Sequence, residues 1–118
     1  MERIWSEENK YKIWLDIEIA ICQARAELNE IPEDAVDKIK NNVSLDIARI
    51  KEIEEVTRHD ILAFIEGINE TLGEEAKYIH QGVTSSDIKD TTRAIQMKEA
   101  VAIIKEDLQE LKNILLLD

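Results

Sequence analysis

Two short stretches of this chain carry residue types that can do chemistry at a helix start. They are Thr57-Arg58-His59-Asp60 and His80-Gln81-Gly82-Val83-Thr84-Ser85-Ser86-Asp87. Each ends in a Thr-x-x-Asp quartet that leads into an apolar pattern of helical period, the signature of a capping box. The first N–H groups of a helix lack intrahelical partners and sit at the positive end of its dipole, so they attract anions. The two histidines of the chain, His59 and His80, lie in or just before these starts. A cationic imidazole is disfavoured there, so its presence at both starts points beyond pure structure. A blander reading stays open for each piece taken singly. Capping boxes are mostly structural, Ser85 and Ser86 suit any first helical turn, and Arg58 can be solvated. No Cys or His spacing supports a zinc site built on His59 and His80.

The elements that must position these residues read as helices throughout. Ser6 caps a first helix to about Leu28, with Trp14, Ile17, Ile21, Ala24 and Leu28 on one stripe. Asn29 and Pro32 break it, and Pro32 suits the first turn of a short helix carrying Val36 and Ile39. Ser44 opens a third helix with Ile47, Ile50 and Ile53. Thr57 interrupts that helix and starts a fourth, in which Ile61, Phe64 or Ile65, Ile68 and Leu72 repeat. Gly73 is placed as its C-cap. A loop with Tyr78, His80 and Gly82 leads to Thr84. Trp5, Tyr11 and Trp14 are read as packing residues.

From Thr84 onward the pattern has no break. Ala94, Met97, Val101, Ile104, Leu108, Leu111 and Leu115 alternate steps of three and four, a heptad-like seam suited to a long bundle. Extended backwards, the seam reaches Asp90 and Asp87, which predicts a polar end facing inward. Ile114-Leu115-Leu116-Leu117-Asp118 is apolar nearly all round and has no stop signal, so burial on every side is expected. The expectation is a single all-α domain over 1–118. Short helices occupy 1–83, and 84–118 begins a long helix that continues in a larger protein or finds partner helices.

Composition agrees with that class. The 118 residues are 44% hydrophobic and 35% charged, with three Gly and one Pro, the profile of a helical globular chain. Fifteen Lys and Arg against 26 Asp and Glu give a net charge of −11, which argues against nucleic acid and anionic membrane as partners. A small anionic ligand is not excluded, because a pocket answers to its local groups. The acidic surplus, such as Glu52, Glu54, Glu55 and Glu66, is assigned to solvated helix faces. Cys22 stands alone, so there is no disulfide framework and a reducing, cytoplasmic compartment is expected. No apolar run is long enough to span a bilayer.

Taken together, three segments carry a resemblance. They are Ile4-Trp5-Ser6-Glu7-Glu8-Asn9-Lys10 through Trp14-Leu15-Asp16-Ile17-Glu18, then Val56 to Ile61, then His80 to Asp87 with Asp90-Thr91. In order and spacing the chain resembles the N-terminal part of the adenylosuccinate lyase family, within the fumarase/aspartase superfamily. Thr-Arg-His-Asp points to this family; Thr-Ser-Ser-Asp after His-x-Gly is shared with argininosuccinate lyases and carboxymuconate cycloisomerases. The resemblance implies a C–N lyase that eliminates fumarate from a small anionic nucleotide, adenylosuccinate, and from the related imidazole-carboxamide intermediate of purine synthesis, with no metal or organic cofactor. It implies a homotetramer with a shared helical bundle and active sites built from three subunits. It makes His59 and His80 the catalytic candidates, and Arg58, His59, Asp60, Thr84 and Ser85 the substrate-binding residues. A substrate with a phosphate and two carboxylates suits Arg forks, hydroxyl donors and helix starts. A neutral His59 can donate a hydrogen bond or take part in proton transfer.

The same resemblance implies what this chain lacks. Met1-Glu2-Arg3 does not match the Arg-Tyr segment with which the family holds phosphate. The family's catalytic histidine of the next domain and its serine loop are not in the sequence, so the chain alone is expected to be inactive. Two other classes remain: another enzyme of the superfamily with a different substrate, and a non-catalytic helical interaction module, for which the seam is the evidence.

Overall fold

Helices α1 (Glu7–Glu27), α2 (Glu33–Asn42), α3 (Ile47–Thr57), α4 (Asp60–Asn69) and α5 (Ser85–Leu115) make up the computed structural model, which describes residues 1–117. Short 3₁₀ turns lie at Glu2–Trp5 and Glu74–Tyr78, and there is no strand among the described residues. The all-α expectation therefore holds.

The boundaries of α1 follow from its caps. Ser6 Oγ accepts the Asn9 N–H at 3.2 Å. At the other end Asn29 adopts a left-handed conformation, φ 61°. The Glu30 N–H reaches the Arg25 carbonyl at 2.9 Å, and the Asn29 N–H reaches that of Ala26 at 3.0 Å. That pair of bonds is the Schellman arrangement, and Asn is the residue after Gly that best tolerates it. The buried stripe of α1 is Tyr11, Trp14, Glu18, Cys22 and Ala26. The stripe expected from sequence is thus shifted: Ile17 and Ile21 are only half-buried, and Ala24 and Leu28 are exposed. Tyr11 and Trp14 meet Phe64 of α4 in an aromatic cluster, with ring centroids 5.2 to 6.2 Å apart. Each such pair contributes about 0.5–1.5 kcal/mol beyond its area. Trp5, by contrast, is half-exposed and is not part of that packing.

Helices α3 and α4 pack closely across a two-residue turn. Gly67 makes this possible: a Cβ there would stand 2.6 Å from Cγ1 of the fully buried Ile50. Three sequence expectations fail at these ends. The cap of α3 is Asp46, whose carboxylate accepts the Arg49 N–H at 3.1 Å; Ser44 instead donates its N–H to Thr71 Oγ1. Thr57 is the last residue of α3 and does not cap α4. Gly73 lies beyond the end of α4, which closes at Asn69 with Glu70 as C-cap. The nearest Ser, Thr or Gly is not the cap at any of these ends, because the packed register of Ile50, Ile53, Ile61 and Ile68 sets where each helix can stop.

Helix α5 has 31 residues, about 46 Å at 1.5 Å per residue, and it stretches the molecule to 64 × 36 × 24 Å. It docks on α1 and the first 3₁₀ turn through Ile88, Thr92, Gln96 and Ala100. The two polar members are satisfied: Thr92 Oγ1 donates to the Ile88 carbonyl at 2.7 Å, and Gln96 Nε2 to the Ile4 carbonyl at 3.0 Å. From Met97 onward the seam lies one residue step, about 100°, from this face, and from Ala94 to Leu115 it is exposed along its length. Asp87 and Asp90 are exposed as well, so the seam does not run into an inward polar end. Ile114 to Leu117 are also exposed rather than buried on every side. Asp118 lies outside the described residues.

Candidate functional site

The first motif forms the turn between α3 and α4. Arg58 ends α3 in the left-handed region, φ 54°, a conformation that costs a branched or long L-residue about 1–2 kcal/mol. Its side chain is exposed. His59 follows in extended conformation and caps α4: Nδ1 accepts the Leu62 N–H at 3.1 Å. The cap is therefore a histidine, not the Thr57 of the expected quartet. An imidazole nitrogen that accepts carries no hydrogen, so the ring proton of His59 is on Nε2, and its exposed ring presents an N–H donor. Asp60 turns its carboxylate onto its own helix start, accepting the Ile61 N–H at 2.8 Å.

The second motif starts α5. Here the capping geometry at Thr84 is present: the Thr84 N–H donates to the Asp87 carboxylate at 2.9 Å. Thr84 is exposed and Ser85 half-exposed. The two starts are joined by an ion pair between Lys89, one turn into α5, and Asp60, at 2.9 Å. Partial burial works to raise the Asp60 carboxyl, but Lys89 and the Ile61 N–H outweigh it and hold the group below the ordinary aspartate range. Beside this pair a shallow cleft is lined by Lys10, Trp14, Asp60, Lys89, Thr92 and Arg93. Lys10 reaches it with its ammonium over the Tyr11 and Trp14 rings, at 4.6 and 4.8 Å. The cleft thus gathers three cations against one carboxylate, on a molecule of net charge −11. A wider concavity at the α1–α2 turn carries Glu27, Glu30, Glu33 and Asp34, which repel an anion, and none of the motif residues line it.

His80 sits apart from the ion pair, in the loop before α5, and is tied to α1. It too is left-handed, φ 61°. Glu18 of α1, fully buried, accepts its backbone N–H through Oε2 at 3.1 Å, and Oε1 lies 2.6 Å from its Nδ1. Gly82, φ 71°, makes the turn that follows. Arg25 braces the same loop through the Gln81 carbonyl at 3.2 Å. Glu18 is one helical turn from Trp14, so the His80 anchor lies about one turn along α1 from the cleft. Cys22, one turn further, is buried, and burial and then the Glu18 carboxylate push its thiol up.

Of the six sequence-derived site residues, the structure links Asp60 to α5 through Lys89, and Arg58 and His59 precede it in the same turn. Thr84 and Ser85 lie at that start, and His80 is held separately by Glu18. Sequence reasoning missed Glu18 and Lys89. Glu18 had a signal: it occupies the buried stripe between Trp14 and Cys22, and a carboxylate there must have a partner. Lys89 had none, because it is one of many cations on a polar helix.

Residues 1–116 match the family model described as Lyase, and the chain belongs to that family. It is similar to adenylosuccinate lyases of three bacteria. It is 45% identical over 115 residues to that of Staphylococcus saprophyticus subsp. saprophyticus, covering 98% of this chain and 27% of the relative. It is 50% identical over 115 residues to that of Streptococcus mutans serotype c, with the same coverage. It is 49% identical over 113 residues to that of Aquifex aeolicus, covering 93% and 26%. A crystal structure of fumarate lyase from Mesorhizobium sp. BNC1 superposes with a TM-score of 0.80 at 29% identity, over 89% of this chain and 26% of that one. The chain spans about a quarter of the length of the curated relatives it matches. No helix among the described residues is long and apolar enough to cross a membrane.

Proposed function

We propose that this chain is the N-terminal part of an adenylosuccinate lyase, a C–N lyase that releases fumarate from adenylosuccinate and leaves AMP. The observation that carries the reading is the 45–50% identity to adenylosuccinate lyases over 93–98% of the chain. In the reaction a proton leaves the carbon beside a substrate carboxylate, the C–N bond breaks, and the departing nitrogen takes up a proton. Arg58 offers a guanidinium fork to a carboxylate or phosphate. Its costly backbone conformation is understandable if the side chain, rather than the turn, is what the position requires. His59 offers the Nε2–H donor, and Thr84 and Ser85 offer hydroxyls at the start of α5. His80 lines the same site. The family's standard acid and base, the histidine of the next domain and the serine loop, come from segments and subunits outside this chain, and His59 and His80 assist the proton transfers, in a cytoplasmic homotetramer whose bundle is built on the exposed face of α5. Neither nucleic acid nor membrane is a partner.

The test joins this chain to the remaining three-quarters of the enzyme and follows adenylosuccinate cleavage by ultraviolet absorbance. The joined enzyme turns over and the 118-residue chain alone does not. A joined enzyme that ignores adenylosuccinate but cleaves argininosuccinate or cycloisomerises carboxymuconate overturns the substrate assignment.

A further inference from the structure

Glu18 is a carboxyl group in the one place where charge is hardest to keep. It is completely buried in the apolar stripe of α1, where an ionised carboxylate is tolerated only if its oxygens are fully hydrogen-bonded. Both oxygens go to the same residue. Oε2 takes the His80 backbone N–H at 3.1 Å, and Oε1 lies 2.6 Å from His80 Nδ1. The bidentate grip holds the left-handed backbone of His80 and its ring together, although the two residues are 62 positions apart. A turn that needed only a left-handed residue would be served by Gly without a buried charge. The His80 side chain keeps 21% of its surface exposed. Nδ1 is turned to the buried carboxylate, while Nε2 has no hydrogen-bond partner among the described residues and is not one of the buried unpartnered atoms, so it reaches the surface.

We propose that Glu18 is a positioning residue that locks His80 as its Nδ1–H tautomer and so presents Nε2 as the bare nitrogen, able to accept a hydrogen bond or a proton from a ligand at the start of α5. The chemistry follows from donor and acceptor inventory: an ionised carboxylate has no hydrogen to give, so Nδ1 must supply it. His80 is then the complement of His59, whose Nδ1 accepts from Leu62 and whose Nε2 carries the proton. One histidine offers a donor and the other an acceptor. The consequence for turnover rests on the lyase reading above; the tautomer does not.

The backbone N–H of His80 cannot reverse its polarity, and this makes Glu18→Gln a sharp probe. The amide oxygen must take that N–H, so the amide NH₂ faces Nδ1 and forces the proton to Nε2. Nitrogen-15 NMR of the 118-residue chain, at a pH where the imidazole is neutral, should show His80 with hydrogen on Nδ1 in the wild type and on Nε2 in Glu18→Gln. A wild-type His80 with hydrogen on Nε2 overturns the proposal, whether or not the variant folds. In the joined enzyme Glu18→Gln should lower kcat/KM by about tenfold or more, the direction expected where a carboxylate sets an imidazole tautomer, with an unchanged melting temperature. An inverted tautomer with full turnover removes the positioning role while leaving the lyase reading intact. A wild-type joined enzyme without adenylosuccinate activity overturns the lyase reading, and with it the role in turnover, and leaves the tautomer result standing.

Discussion

Replacement of His59 separates the two jobs that the structure gives it. His59→Ala removes the Nδ1 acceptor that lies 3.1 Å from the Leu62 N–H. The position is exposed, so water reaches the freed donor and the cost is that of a lost N-cap, about 1 kcal/mol. For a chain of this length that lowers Tm by about 3–6 °C. His59→Ser restores a strong cap, because a short hydroxyl at this position reaches the same N–H, yet it cannot reach where Nε2 reaches. The expected order is therefore wild type and His59→Ser close together in thermal melts, with His59→Ala below them. In the joined enzyme both variants should lose about 10²–10⁴ in kcat if the imidazole takes part in proton transfer. Melting curves by circular dichroism beside steady-state kinetics decide the matter. A stable His59→Ser enzyme with normal turnover removes His59 from the chemistry. A His59→Ala chain that melts with the wild type means that the imidazole does not cap α4.

Other outcomes follow from the same coordinates. Gly67→Ala should destabilise by about 1–3 kcal/mol through overpacking, since its Cβ would meet Ile50 Cγ1 at 2.6 Å; adding Ile50→Ala should cost less than the sum of the single changes, and full additivity in chemical denaturation would refute the contact. The Asp60 carboxyl is held low in the folded state, so its contribution is present above the ordinary aspartate value of about 3.9 and is lost as pH falls through the folded value. Lys89→Met should move the Asp60 titration upward, read by carboxyl NMR, and shift that loss to higher pH; an unmoved titration would mean that the ion pair does not form in solution. Leu108→Glu with Leu111→Glu should abolish self-association of the chain in light scattering, because contiguous exposed apolar surface drives it; a wild-type chain that stays monomeric at high concentration refutes that use of the face.

Much of the architecture is legible in the residues. Helical periodicity and the near absence of Gly and Pro announce an all-α chain, and Ser6, Asn29 and Pro32 mark real boundaries. The caps are less legible. At Thr57 the sequence shows a quartet that is a capping box elsewhere, but α3 runs through it and the imidazole of the next-but-one residue takes the N–H. The same quartet at Thr84 does cap, because a loop rather than a helix precedes it. Glu18 and Glu54 look alike as letters on amphipathic helices, yet one is sealed in the core and the other is half-exposed.

What the sequence determines by itself is local: which segments are helical, which residues carry chemistry, and the motif order that marks the lyase family. These depend on spacing along one chain, where periods of three and four are enough. The tertiary structure decides which face of α5 is spent on the domain. Ile88, Thr92, Gln96 and Ala100 dock although two are polar, because Ile88 and Ile4 supply carbonyls for them, and the more apolar seam is left outside. It also decides the pairings of Asp60 with Lys89 and of Glu18 with His80. A charge finds its partner through space, and the distance that matters is set by how helices cross rather than by how far apart their residues lie in the chain.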